Sequence, residues 1–153
     1  MFHIILFAPQ IPPNTGNIIR LSANTGTKLH LIEPLGFRLD EKSCRRAGLD
    51  YHSLANVQIH KNLNECCKMV DLARLFVITS HGTKSLFDQK FAIGDAFLFG
   101  SEIAGLPEQV HSRFTAERKL RLPMIAGNRS LNLANAVSIV VYEAWRQIGF
   151  ATT

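Results

Sequence analysis

Phe2-His3-Ile4-Ile5-Leu6-Phe7, then Ala8-Pro9-Gln10-Ile11-Pro12-Pro13-Asn14-Thr15-Gly16, then a helical pattern from Asn17 to Asn24, then Lys28-Leu29-His30-Leu31-Ile32: this opening stretch decides the fold. An apolar β-rich run, a loop, a helix and a second apolar run describe one unit of an α/β protein. The alternation continues along the chain. Asp40 to Ala47 reads as a helix, Val57 to His60 as a strand and Leu63 to Leu72 as a helix opened by Asn62. Arg74 to Thr79, Asp95 to Phe99 and Lys119 to Leu122 read as further strands. From Leu131 to Ile148, apolar residues at Leu133, Ala136, Val137, Val140, Val141, Ala144, Trp145 and Ile148 recur at helical spacing, with Gly149 as the stop. Strands buried on both faces read as continuous apolar runs, so the expectation is an α/β fold whose mainly parallel sheet carries helices on both faces.

The chain has 153 residues, which suits one domain spanning 1–153 with a core that needs no staples. Its three cysteines, Cys44, Cys66 and Cys67, are odd in number and two are adjacent, which speaks against a disulfide scaffold or a zinc hairpin and favours a reducing cytoplasm. The six histidines show no metal-ligand spacing, and no metal is expected. No apolar run approaches the roughly 20 residues of a membrane span, and the N-terminus lacks the features of a signal peptide. Seventeen Lys and Arg against twelve Asp and Glu give a net charge of +5, which favours an anionic partner such as nucleic acid.

In parallel sheets, ligands bind beyond the carboxyl ends of the strands, so three loops carry the search for chemistry. In the first, two prolines suggest an extended approach, and Asn14 or Thr15 can cap the following helix. Arg20 offers a planar fork suited to phosphate, with a surface salt bridge as the alternative. The second, Gly100-Ser101-Glu102-Ile103-Ala104-Gly105-Leu106-Pro107, is neither a P-loop, nor a dinucleotide fingerprint, nor a nucleophile elbow. The third runs from Leu122-Pro123-Met124 to Asn128-Arg129-Ser130-Leu131-Asn132. Ser130 or Asn128 can cap the final helix, and the surplus of polar groups around them suggests a site. Lys42, Arg45 and Arg46 form a basic patch that is either a solvated face or an RNA contact.

Taken together and in order, the loops resemble the ribose-methylating branch of the SPOUT superfamily of RNA methyltransferases. The resemblance rests on Asn14-Thr15-Gly16-Asn17-Ile18-Ile19-Arg20, on Phe99-Gly100-Ser101-Glu102-Ile103-Ala104-Gly105-Leu106, and on Leu122-Pro123-Met124 with Ser130-Leu131-Asn132. Ile32-Glu33-Pro34-Leu35-Gly36-Phe37, Arg45-Arg46-Ala47-Gly48-Leu49-Asp50-Tyr51-His52 and Val141-Tyr142-Glu143-Ala144-Trp145-Arg146 look like the minimal subgroup that methylates the ribose of the tRNA wobble nucleotide.

The resemblance implies a trefoil knot near the carboxyl end, S-adenosyl-L-methionine as methyl donor and a homodimer. It places the cofactor at Ile78, Gly100, Leu122, Ser130 and Leu131. Arg20, Asn14, Glu102, Asn132 and Tyr142 become the catalytic candidates, and Lys42, Arg45, Arg46 and Arg129 the RNA contacts. The substrate it implies is a tRNA anticodon stem-loop, recognised as RNA and not DNA by its 2′-hydroxyl. A ribose methyltransferase for another RNA position, or an RNA-binding assembly factor without catalysis, are the alternatives.

Overall fold

A computed structural model describes residues 1–46, 48–49 and 54–152. Seven strands form one sheet: β1 (His3–Phe7), β2 (Lys28–Ile32), β3 (Val57–His60), β4 (Leu75–Ile78), β5 (Lys84–Ser85), β6 (Ala96–Phe99) and β7 (Lys119–Arg121). Their spatial order is β3-β2-β1-β6-β4-β7-β5, and every pair is parallel. The helices are α1 (Pro12–Thr25), α2 (Glu41–Arg46), α3 (Leu63–Cys67), α4 (Glu108–His111) and α5 (Leu133–Gln147).

Alternate residues of each strand feed two cores. On one face Ile4, Leu6, Leu29, Leu31 and Phe97 pack with Ile18 and Ile19 of α1 and with Val137, Val140 and Val141 of α5. On the other, Ile5, Ile32, Val77 and Leu98 pack with Leu63 and Cys66 of α3 and Val110 of α4. Burial on both faces is why the strands lack polar alternation. At the amino ends of the strands, Asp95, 1% exposed, receives two 2.6 Å bonds from the Arg74 guanidinium, whose plane lies over Phe76.

The observed elements depart from the sequence reading at several ends. Helix α1 begins at Pro12, so the two prolines start the helix instead of extending its approach. Proline suits that position because its missing N–H is one the first turn leaves unpaired anyway. Neither Asn14 nor Thr15 caps it: the N-cap is Ile11, with no side-chain cap bond. Helix α3 is capped by Asn62, as expected, but stops at Cys67, and Asp71 opens a separate turn over Leu72–Arg74. Strand β5, of two residues, carries too little pattern to be foreseen. Ala47, Asp50, Tyr51 and His52 lie outside the described residues. Although the histidines show no metal-ligand spacing in the sequence, His3, His30 and His60 form one hydrogen-bonded row across β1, β2 and β3.

Candidate active site

Strands β1 and β6 are neighbours, but the chain leaves them in opposite directions across the sheet, which opens a crevice at their carboxyl ends. Ala8, with φ 47°, turns the chain off β1 into that crevice. The end of β4 and the loops after β1, β6 and β7 enclose a cavity of about 480 Å³. Its lining includes nine of the residues singled out from the sequence. These are Asn14, Ile78, Gly100, Glu102, Leu122, Arg129, Ser130, Leu131 and Asn132.

What holds the loops together is a chain of polar contacts. The Glu102 carboxylate accepts from the backbone N–H of Gln10 at 2.8 Å and of Ile11 at 3.1 Å, and from Asn14 Nδ2 at 3.3 Å. It thus supplies from a distant loop the cap that α1 lacks. Asn132 caps α5 by accepting from the N–H of Ala134 and Asn135 through Oδ1, which correct the expectation of Ser130 or Asn128. With Oδ1 so engaged, Asn132 Nδ2 donates to Asn14 Oδ1 at 2.9 Å, and Asn14 must turn its own amide nitrogen to Glu102. Each amide orientation is fixed by its neighbour. Asn14, Glu102 and Asn132 therefore tie three loops together around one chamber.

Gly100 has no room for a side chain, since a Cβ there would run into the backbone of Gly105 and Leu106. The loop folds back through paired Ser101 and Gly105 backbone bonds of 3.1 and 3.0 Å. Ile78, Leu122 and Leu131 give the chamber apolar walls, and Ser130 and Arg129 give it an exposed polar rim. His81 and His111, which the sequence reading passed over, also line it, their rings edge to face at 6.1 Å. Burial, aided by Lys119, lowers the His111 pKa and favours its neutral form.

The remaining candidates lie elsewhere on the same chain. Arg20 is exposed and donates to the Gly48 carbonyl at 3.4 Å, which sets it beside the segment that follows α2. Tyr142, 48% exposed, rests edge to face on Trp145. Neither lines the cavity of its own chain. Lys42, Arg45 and Arg46 are exposed on α2, outside the cavity as well.

Residues 1–142 match the family described as "SpoU rRNA Methylase family". A tRNA (cytidine(34)-2'-O)-methyltransferase of Methylovorus glucosotrophus (strain SIP3-4) is 54% identical over 151 residues, covering 99% of this chain and 98% of that protein. A solved structure described as giving insights into "the 2-OH methylation of C/U34 on tRNA" superposes with TM-score 0.88 at 41% identity, covering 99% and 98% of the two chains. The SpoU methyltransferase AviRb from Streptomyces viridochromogenes, solved in complex with the cofactor AdoMet, gives TM-score 0.80 at 27% identity over 98% of this chain and 58% of that one.

Proposed function

The chain belongs to the SpoU rRNA methylase family, and from that footing we propose that it methylates the ribose 2′-hydroxyl of the wobble nucleotide, C34 or U34, of tRNA. The observation that carries the reading is the joining of the three motif loops, through Glu102, Asn14 and Asn132, around one chamber at the strand ends. The 54%-identical relative named for this activity supports the substrate. No helix among the described residues is long and apolar enough to cross a membrane. A cytoplasmic site of action, where tRNA is modified, is part of the proposal.

S-adenosyl-L-methionine supplies, when bound, a methyl group already activated on a sulfonium, and S-adenosyl-L-homocysteine is the product. The residues present fit it: the chamber of about 480 Å³ lies within the range of about 300–1,000 Å³ usual for such ligands. Ile78, Leu122 and Leu131 would enclose the adenine ring, with the Gly100 backbone and Ser130 reading its polar edge. Asn14, Glu102 and Asn132 keep those walls in register. Alignment of the ribose oxygen with the methyl group is the main task left to the protein, and good alignment is worth about 7–11 kcal/mol.

A guanidinium is a donor-only group, so the role assigned to Arg20 is not that of a general base. Its guanidinium would hold a flanking phosphate and stabilise the developing alkoxide, the proton passing to phosphate or water. Because Arg20 and Tyr142 lie outside their own chain's chamber, we assign them across a homodimer, where a second copy completes the site. Lys42, Arg45, Arg46 and Arg129 would neutralise phosphates of the anticodon stem-loop. The family's trefoil knot belongs to the same proposal.

The test incubates the purified protein with S-adenosyl-L-methionine and an anticodon stem-loop, and maps the product by mass spectrometry. A 2′-O-methyl group on nucleotide 34, abolished by a deoxyribose there, is expected; methylation elsewhere overturns the substrate. Mixing the separately inactive Arg20→Ala and Gly100→Ala chains should restore part of the activity if Arg20 acts across the dimer.

A further inference from the structure

The row of histidines lies apart from the active-site chamber, on the sheet face that carries α3. Parallel register places His30 opposite Ile5 of β1 and Gln58 of β3, and His60 opposite Ile32. The three rings therefore step diagonally across the strands. His3 Nδ1 lies 2.9 Å from His30 Nε2, and His30 Nδ1 lies 3.0 Å from His60 Nε2. Helix α3, started by Asn62 and braced by the bond from Lys61 N–H to the Glu65 carboxylate, lays Cys66 over the same spot. One nitrogen of His30, one of His60 and the Cys66 sulfur all lie within 4.8 Å of one another. His30 and Cys66 are 1% and 0% exposed.

We propose that His30, His60 and Cys66 form a binding site for a thiophilic divalent ion of the zinc class, with His3 as the group that orients His30. Two imidazole nitrogens and one thiolate are a donor set that such ions take, leaving one coordination position open. The 3.0 Å between the two nitrogens is close to the roughly 3.4 Å that tetrahedral bonds of 2.0–2.1 Å require, so a small opening of the hydrogen bond admits the ion. In the bound form, His30 keeps its proton on Nε2 and donates it to His3 Nδ1, the outer partner that ligating histidines usually have. His60 keeps its proton on Nδ1. Cys66 loses its thiol proton, so one proton is released for each ion bound.

Charges of both signs bear on the row: Lys28, opposite His3 in the register, acts on His3 and His30, and the Glu65 carboxylate acts on His60. The thiolate and Glu65 together balance the two positive charges of the ion. Such an ion would join β3, at the edge of the sheet, to β2 and to α3.

The test titrates the reduced, chelator-treated protein with Co²⁺ and then displaces it with Zn²⁺ against a chromophoric chelator. One equivalent bound, with a thiolate-to-cobalt charge-transfer band in the near ultraviolet, is expected. Cys66→Ser should lose the band and weaken Zn²⁺ binding at least ~100-fold, His3→Gln should weaken it about 10- to 100-fold, and Cys67→Ser should leave it unchanged. Zn²⁺ should also raise the melting temperature of the wild type and not that of Cys66→Ser. Circular dichroism checks the fold of each variant, and His60→Gln repeats the measurement should Cys66→Ser not fold. Absence of the band in the wild type, its loss in Cys67→Ser, or unchanged affinity in Cys66→Ser and His60→Gln would overturn the site.

Discussion

Two polar chains cross this molecule, and they are built in different ways. At the strand ends, Glu102, Asn14 and Asn132 link loops separated by 88 and 118 residues in sequence. Within the sheet, His3, His30 and His60 link three adjacent strands. The first chain uses amides and one carboxylate to fix the geometry of a chamber. The second uses imidazoles, whose proton count changes with acidity, around the buried His30. The contrast teaches that a polar network anchored on one buried residue, Asn14 or His30, can serve either as a rigid brace or as a site whose chemistry depends on what it binds.

The largest expected effect tests the brace. Gly100→Ala drives a methyl group into the backbone of Gly105 and Leu106. Calorimetry should show S-adenosyl-L-homocysteine affinity falling at least ~100-fold; wild-type affinity would place the ligand elsewhere.

Next comes acid. Burial, then the neighbouring His3, His60 and Lys28, lower the His30 pKa to about 4, whereas an unfolded histidine titrates near 6.5. Between these values the unfolded chain binds more protons, so stability rises with pH across the window and is lost as pH falls through it. The full loss is about 3 kcal/mol, read from urea midpoints between pH 6.5 and 4. His30→Leu should flatten that slope and Glu102→Gln should not; equal slopes in all three proteins would erase the distinction between the two chains.

Glu102→Gln places an NH₂ group among N–H donors at one oxygen's position, and should cost about 2 kcal/mol in stability by chemical denaturation. Combined with Asn132→Ala, which removes the α5 cap at about 1 kcal/mol, the losses should fall short of the sum, because both break one network. Strict additivity would show that the chain is not coupled. The smallest effect belongs to α2, outside both networks. Arg46→Ala should reduce the slope of log affinity for the stem-loop against log salt by about 0.7, while leaving cofactor binding untouched.

These two chains were unequally legible in the sequence. The strand-end loops could be read because their residues sit in contiguous segments beside glycines and prolines, Glu102 in the turn between Gly100 and Gly105 and Asn132 at the start of α5. The cap of α1 could not, since Ile11 shows no cap and its substitute arrives from Glu102. The histidine row was invisible for a similar reason: positions 3, 30 and 60 become neighbours only through the parallel register of three strands. Of the fold, Lys28–Ile32 and Val57–His60 were readable to the residue, because both are bounded by polar turns. Helix α3 was drawn too long because Val70 and Leu72 continue a helical spacing that the Asp71 turn interrupts.

One feature of the sheet bears on how the protein is made. Strand β5 pairs with β7 and with no other strand, and β7 enters between β4 and β5. A ribosome releases residues 84–85 well before 119–121, so β5 waits without a neighbour while the nascent chain lengthens. The chamber needs still later residues, up to Asn132 and the start of α5. The walls of the chamber therefore come together only after residues 119–133 have been made, and a chain stalled before Lys119 carries an unfinished sheet edge open to aggregation.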